Sequence, residues 1–170
     1  LTDTGIVFKT EMMREADGAY ILIDLGRESV GYLELETDSD DGALLEIAYG
    51  QHLIDLRVRS HNGERHFASS CRLGPGRQRF IYPITRLGCR YLQIHVSDVS
   101  AGFTLLYAGL RDLLYSGEER GSFWSSDRLK ERIHAVSVDT LRLCIHDHYE
   151  DTAWREQGLY AGDMVNQCLA

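Results

Sequence analysis

The spacing of apolar residues changes once along this chain, from every second position to every third or fourth. The first 114 residues contain "GYLELET", "ALLEIAYG" and "CRYLQIHV", in which apolar and polar side chains alternate. In the first of these segments, Leu33, Leu35 and Thr37 share one face. Alternation with a period of two is typical of strands that bury one face. Several such strands without a helical pattern between them predict an antiparallel β-sandwich over residues 1–114.

The predicted strands are separated by turn residues. The apolar run "AYILIDLG" closes on Gly26, where we expect its strand to end. Further breaks lie at "DSDDG" (38–42), "HNG" (61–63) and "LGPG" (73–76). Glycine, proline, aspartate and asparagine favour turns because they adopt or stabilise backbone angles that strands do not use.

Two helical patterns follow residue 122. Apolar or small side chains recur there at spacings of 4, 3, 4 and 3, as on one face of a helix. These positions are Leu129, Ile133, Val136, Thr140 and Leu143. Ser125 or Ser126 is expected to cap this helix, with Asp127 in its first turn, and a second helix is expected to begin near Gly162.

The segment "YSGEERG", residues 115–121, is therefore predicted to link a β-domain to a helical domain that begins at residue 122. Two helices cannot bury their apolar faces by themselves. We expect residues 122–170 to be the first hairpin of a larger helical domain. The expected fold class is mainly β with C-terminal helices.

Charge narrows the possible partners. The chain has 170 residues and a formal net charge of −8, which disfavours nucleic acid or an anionic membrane as a partner. The four cysteines form no CxxC pair, so neither a disulfide framework nor a structural zinc site is expected. No membrane span or signal peptide is apparent, and the opening "LTDTG" leads us to expect part of a longer protein. Compartment and oligomeric state are not indicated.

The stretch "HDHYEDTAWREQGLYAGD", residues 146–163, is dense in functional side chains. His146 and His148 are two positions apart, a spacing that points to different faces of a helix. We therefore expect no shared metal site and no cofactor, and interpret both histidines as residues near a helix C-terminus.

The charged residues of this stretch allow two interpretations. Carboxylates flank Arg155 on both sides, which suits an ion-pair network in a helix–helix loop. Trp154 and Tyr160 lie among them, and aromatic faces beside carboxylates are equally typical of a sugar site. A glutamate there can act as a general acid if burial favours its protonated form, although the arginine opposes this.

The segment "DTAWREQGLYAGD" resembles the active-site motif of bacterial α-L-rhamnosidases, glycoside hydrolase family 78. In that motif a glutamate follows an aspartate by five positions, with an arginine just before it, and a second aspartate follows at twelve. Here these residues are Asp151, Arg155, Glu156 and Asp163. Upstream, "IDLGRESVGYLELE" and "GCRYLQIHV" resemble the β-sandwich that precedes the family's (α/α)6 barrel, and "GSFWSSDRLKERIHAVSVDTLRLCIHDHYED" resembles the barrel's entry helix.

The resemblance implies an inverting glycosidase that removes terminal α-L-rhamnose. Glu156 would be the general acid, and the general base would be a glutamate of the barrel outside this chain. Asp151, Arg155 and Asp163, with Trp154 and Tyr160, would bind the sugar. The implied partners are a rhamnoside and the remainder of the barrel, so the 170-residue chain alone is expected to be inactive.

Two departures from the motif leave the sugar open. The family frequently has Cys-Pro where this chain has Thr152-Ala153, and often has tryptophan where Tyr160 stands. An (α/α)6 glycosidase for another sugar therefore remains an alternative. A non-catalytic carbohydrate-binding β-sandwich is a second one, with a site among the strand tyrosines. These are Tyr32, Tyr49, Tyr82 and Tyr91.

Overall fold

The structure is a computed structural model that describes residues 6–8, 18–117 and 121–169, with side chains from residue 18 onward. It divides into two compact units, Leu1–Asp112 and Leu113–Ala170. The first is built of antiparallel strands and the second contains two helices, which confirms the predicted fold class. No helix among the described residues is both long and apolar enough to cross a membrane.

Six strands of the β-unit form one antiparallel sheet in the order β1-β10-β2-β9-β3-β8. The pairs β4–β5 and β6–β7 form two short hairpins. The strands are β1 (Ile6–Phe8), β2 (Ala19–Ser39), β3 (Ala43–Gly50), β4 (Leu53–Ile54), β5 (Arg57–Val58), β6 (His61–Asn62), β7 (Arg65–His66), β8 (Ala68–Leu73), β9 (Gly76–Ser97) and β10 (Phe103–Asp112). Strands therefore end or begin at each of the three predicted turns, at 38–42, 61–63 and 73–76.

The long strands β2 and β9 run through both halves of the sheet. Residues 19–24 of β2 pair with 91–96 of β9, beside β3 and β8, whereas residues 29–39 pair with 76–89, beside β10. Buried side chains from both halves form one apolar cluster. The two halves therefore share a core, as two layers of a sandwich do.

The alternating pattern predicted the buried face correctly. Leu92, Ile94 and Val96 are each 0 % exposed, and Leu33, Leu35 and Thr37 are also buried. Full burial of one such aliphatic side chain is worth roughly 1.5–3 kcal/mol, so this face supplies much of the stability of the unit.

The prediction that a strand ends at Gly26 is wrong, because β2 continues through it to Ser39. The pairing of β2 with β9 shifts register between Asp24 and Ser29, and Gly26 adopts a φ of +82° there. The Asp24 carboxylate accepts the Gly26 N–H at 2.8 Å. A β-bulge of this kind absorbs a left-handed glycine without ending the strand.

Glu34 lies on the face predicted to be wetter, yet its side chain is buried. Arg79 and Arg111 both donate to its carboxylate, the latter through Nε at 3.2 Å. The Arg79 guanidinium, followed by that of Arg111, lowers the pKa of Glu34. Both arginines are far from Glu34 in sequence, so a local pattern could not reveal that they cover it.

Gly31 is required by the close approach of two strands. An added Cβ would lie 2.1 Å from the Arg111 carbonyl oxygen, so the backbones must separate to admit one. We predict that Gly31→Ala lowers the free energy of unfolding by about 1–3 kcal/mol, as overpacking typically does. Denaturant unfolding would measure this. Gly121→Ala is the control, because an added Cβ meets nothing within 4 Å there, and equal effects of the two changes would contradict the explanation.

The helical unit contains α1 (Arg128–Leu143) and α2 (Ala161–Leu169). Asp127 caps α1 by accepting the Leu129 N–H at 2.9 Å, so the prediction of a serine cap is wrong. The Ser125 hydroxyl instead accepts the Asp127 N–H at 3.1 Å. A carboxylate also gains more than a hydroxyl from the positive end of the helix dipole. Neither helix has a buried residue.

Candidate active-site loop

The loop between the two helices starts with a tight bend. Helix α1 ends at Leu143, so His146 and His148 lie just beyond the helix C-terminus near which they were predicted. Ile145 and Tyr149 form an isolated antiparallel bridge instead, and the Glu150 N–H donates to the Cys144 carbonyl at 2.8 Å. The chain therefore reverses direction directly after the helix, and both histidines lie in this bend.

Asp151 closes the second part of the loop onto itself. Its backbone N–H donates to the Gly158 carbonyl at 3.0 Å, and its Oδ1 accepts the Gly158 N–H at 2.9 Å. Six intervening residues, 152–157, are thereby held as one compact turn whose two ends are joined. The Oδ1 atom of Asp151 therefore helps to hold the turn closed.

Thr152 organises this turn from inside. Its Oγ1 accepts the N–H groups of Arg155 at 3.2 Å and of Glu156 at 3.3 Å. Gln157 follows with a left-handed φ of +52°, and its Nε2 donates to the Ala153 carbonyl at 2.8 Å. These short-range bonds fix the backbone at Glu156, the residue predicted to be the acid.

We predict that Thr152→Val loosens this turn while Thr152→Ser preserves it. Valine keeps the shape of threonine but removes the acceptor, which leaves two N–H groups without their bond. Amide hydrogen exchange at Arg155 and Glu156 should quicken about five- to tenfold in the valine variant, in keeping with the loss of about 1 kcal/mol or more. Unchanged exchange in the valine variant would show that the hydroxyl does not hold the turn.

Tyr160 and Arg155 contact the Glu156 carboxylate. The Tyr160 hydroxyl donates to its Oε2 at 2.6 Å, and the Arg155 Nη2 lies 3.6 Å from its Oε1. The Glu156 side chain is partly exposed, whereas Tyr160 and Arg155 are exposed. A hydroxyl donor and a cation both stabilise an ionised carboxylate and also restrict its orientation.

The other predicted site residues are placed differently. Asp163 is exposed in the first turn of α2, where the helix dipole stabilises a carboxylate. Trp154 is only 7 % exposed, so its ring does not offer a face to solvent as a sugar platform would. Five of the six predicted residues thus lie on one loop, and Asp163 lies on the helix that follows it. The five are Asp151, Trp154, Arg155, Glu156 and Tyr160.

Three polar residues that hold the loop were not singled out from the sequence. Besides Thr152 and Gln157, Gln167 of α2 donates from Nε2 to the Glu150 carbonyl at 2.8 Å. His148 contacts the Gln157 carbonyl through Nε2 at 3.1 Å. Thr152 lies three positions before Arg155 and four before Glu156, a spacing at which a threonine hydroxyl commonly accepts backbone N–H groups of a turn. The bonds of Gln167 and His148, in contrast, depend on the fold of the whole loop.

The helical unit also contains a cavity of about 630 Å³. Its lining includes His134, Arg142, Tyr149 and Cys168, but none of the six predicted site residues. This cavity and the predicted site residues therefore lie in different parts of the helical unit.

Solved structures resemble this chain over most of its length, and two of them are rhamnosidases. A family 78 rhamnosidase of Bacillus sp. GL1 matches 88 % of it at a TM-score of 0.74 and 28 % identity. A rhamnosidase from Klebsiella oxytoca, with rhamnose bound, matches 95 % of it at a TM-score of 0.75 and 22 % identity. The chain spans only 16 % and 34 % of those two proteins. No protein-family model matches the chain, and no curated protein matches it significantly.

The fold and these matches define a glycoside-hydrolase-like chain. More particularly, the resemblance to glycoside hydrolase family 78 predicted from the sequence is confirmed by the structural matches.

Proposed function

We propose that this chain supplies the acid side of an inverting glycosidase that removes terminal α-L-rhamnose from glycans or glycosides. Glu156 is the general acid, and the general base belongs to a helical barrel that this chain begins. The proposed partners are a rhamnoside and the rest of that barrel. The observation that carries the proposal is the setting of Glu156, a partly exposed carboxyl oriented by Tyr160 on a turn that Asp151 and Thr152 hold closed.

The proposed chemistry is a single displacement. Glu156 donates its proton to the glycosidic oxygen as the bond from that oxygen to the anomeric carbon breaks. A water molecule, deprotonated by the distant carboxylate, attacks the same carbon from the opposite face, which inverts its configuration. Inverting enzymes separate the two carboxyl groups by about 6.5–9.5 Å to leave room for this water.

The remaining loop residues bind and orient in this proposal. Asp151, Arg155 and Asp163 take hydroxyl groups of the sugar, since carboxylates and guanidinium form charge-assisted bonds with them. Tyr160 fixes the rotamer of Glu156 and offers its exposed ring to the sugar. Because Trp154 is buried, we assign it to packing beneath the turn rather than to direct sugar contact.

The acid must carry a proton to act, yet Arg155 and Tyr160 both favour the ionised form. Substrate binding would counter this, since it excludes water from the carboxyl and engages the guanidinium with sugar hydroxyls. Desolvation disfavours the charged form of a carboxyl group, so the acid becomes competent in the complex rather than in the open loop.

The experiment compares the 170-residue chain with the longer protein that the proposal requires. We predict that the longer protein hydrolyses an aryl α-L-rhamnoside and that the chain alone does not, because it lacks the base. Proton NMR of the first product should show the β-anomer of the sugar. Turnover by the chain alone, or an α-anomeric first product, would contradict the proposal.

A further inference from the structure

The β-unit contains a second cavity, which the catalytic proposal does not use. Its volume is about 330 Å³, near the lower end of the range for small-molecule sites, which is about 300–1,000 Å³. Strands β3 and β8 form one wall, with Ile47, Tyr49 and residues 69–71. Strands β2 and β9 form the other, with Leu33, Phe80, Tyr82 and Leu87. We name this space the interlayer pocket.

Its lining combines apolar walls with neutral hydroxyl groups. Aliphatic and aromatic side chains form most of it, and the rings of Phe80 and Tyr82 lie 6.2 Å apart at an angle of 31°. The hydroxyls of Tyr49, Tyr82, Ser69 and Ser70 are its polar groups, and none of the nine lining residues is charged. An ionic ligand would find no counter-charge there, so the lining selects against one.

The two tyrosine hydroxyls are the most informative of these groups. Burial raises the pKa of Tyr49 to about 12, with smaller contributions from the neighbouring Cys89 thiol and Tyr82 hydroxyl. Tyr49 is therefore a neutral donor at ordinary pH. Its ring is held edge-on against Phe67 at 5.7 Å, so its orientation is set by packing. Within the part of the chain that the structure describes, neither tyrosine hydroxyl bonds another protein group.

Hydroxyls in a partly buried site are normally satisfied by protein, water or ligand. An entirely apolar occupant would leave both tyrosine hydroxyls without partners, at a cost for each. A pyranose ring meets both requirements, because its C–H face packs on aromatic rings while its hydroxyls pair with neutral donors and acceptors.

We propose that the interlayer pocket binds one neutral pyranose unit and is a non-catalytic sugar site separate from the loop. Of the four strand tyrosines considered from the sequence, the pocket brings together Tyr49 and Tyr82, whereas Tyr32 and Tyr91 do not line it. The proposal does not depend on the role of Glu156.

The test is titration of the full 170-residue chain with L-rhamnose and with D-glucose, followed by amide NMR. We expect at least one of these sugars to shift the amide signals of β3, β8 and the first half of β9. The charged sugar D-glucuronate should bind at least about tenfold more weakly, since the pocket offers it no cation. Absence of binding by both neutral sugars, which would leave the pocket a hydrated cleft only, would overturn the proposal.

Matched variants locate the site. Tyr82→Phe removes one hydroxyl and keeps the ring, and should weaken binding about fivefold, as loss of one neutral hydrogen bond does. Tyr91→Phe makes the same change outside the pocket and should leave the affinity unchanged. Tyr49→Phe provides a second variant of the first kind, with thermal unfolding as the check on its fold.

A change in the loop distinguishes the two proposed sites. If Arg155→Ala abolishes sugar binding while Tyr82→Phe and Tyr49→Phe leave it intact, the sugar occupies the loop and the pocket proposal fails. If the tyrosine variants weaken binding and the loop variant does not, the pocket is the site, whatever the outcome for catalysis.

Discussion

Replacing Glu156 by glutamine in the longer protein is expected to lower kcat by about 10²–10⁴-fold, the usual contribution of general acid catalysis. The assay should use a disaccharide with a terminal α-L-rhamnose, because the second sugar departs as an alkoxide that needs a proton from the acid. Glutamine keeps the shape of the side chain and can still accept the Tyr160 hydroxyl, so the turn should remain intact. KM should change far less than kcat, because the proton matters in the transition state.

Asp147→Asn is the matched control for this change. Asp147 belongs to the same loop, and its side chain is 88 % exposed, with only a 3.9 Å approach to His146. The same loss of a carboxylate there should leave kcat within about twofold of the unchanged protein, as surface substitutions usually do. A large loss in the control, or none in Glu156→Gln, would reject the assignment of the acid.

Replacing Ile94 by alanine is expected to cost the β-unit about 2–5 kcal/mol of its free energy of unfolding. Ile94 is 0 % exposed at the centre of β9, where it is part of the shared core of both halves of the sheet. The change leaves a cavity that rigid neighbours on β2 and β3 cannot fill. Urea unfolding followed by far-ultraviolet circular dichroism reports this, since the strands belong to this unit.

Ile84→Ala is the matched control, because it makes the same change at an exposed position of the same strand. Ile84 is 81 % exposed, so its loss should alter the free energy of unfolding by no more than about 0.5 kcal/mol. Similar effects of the two substitutions would mean that the alternating pattern does not define the core of the sheet.

The sequence was a good guide where structure depends on short-range patterns. Alternation identified the buried face of β2 and β9, because side chains two positions apart share a face. The apolar spacing identified α1 and α2 for the same kind of reason. The motif from Asp151 to Asp163 identified one loop, and the structure has five of the six predicted residues on that loop.

The sequence was a poor guide where distant groups decide the outcome. Glu34 is buried because arginines from β9 and β10 cover it, and β2 passes Gly26 because its pairing with β9 permits a bulge. The bend after Leu143 and the burial of Trp154 likewise depend on how the loop packs. None of these contacts produces a periodic pattern in the neighbouring sequence from which it could be predicted.

If Glu156 protonates the leaving group, the loss of rate in its variants must depend on how much the leaving group needs a proton. We would compare kcat/KM of the unchanged longer protein and its Glu156→Gln variant on an alkyl α-L-rhamnoside and on a dinitrophenyl α-L-rhamnoside. The dinitrophenolate departs without a proton. We predict that the variant loses about 10²–10⁴-fold in kcat/KM on the alkyl substrate. On the dinitrophenyl substrate the loss should be smaller by a factor of about ten or more. Equal losses on both substrates would contradict the claim.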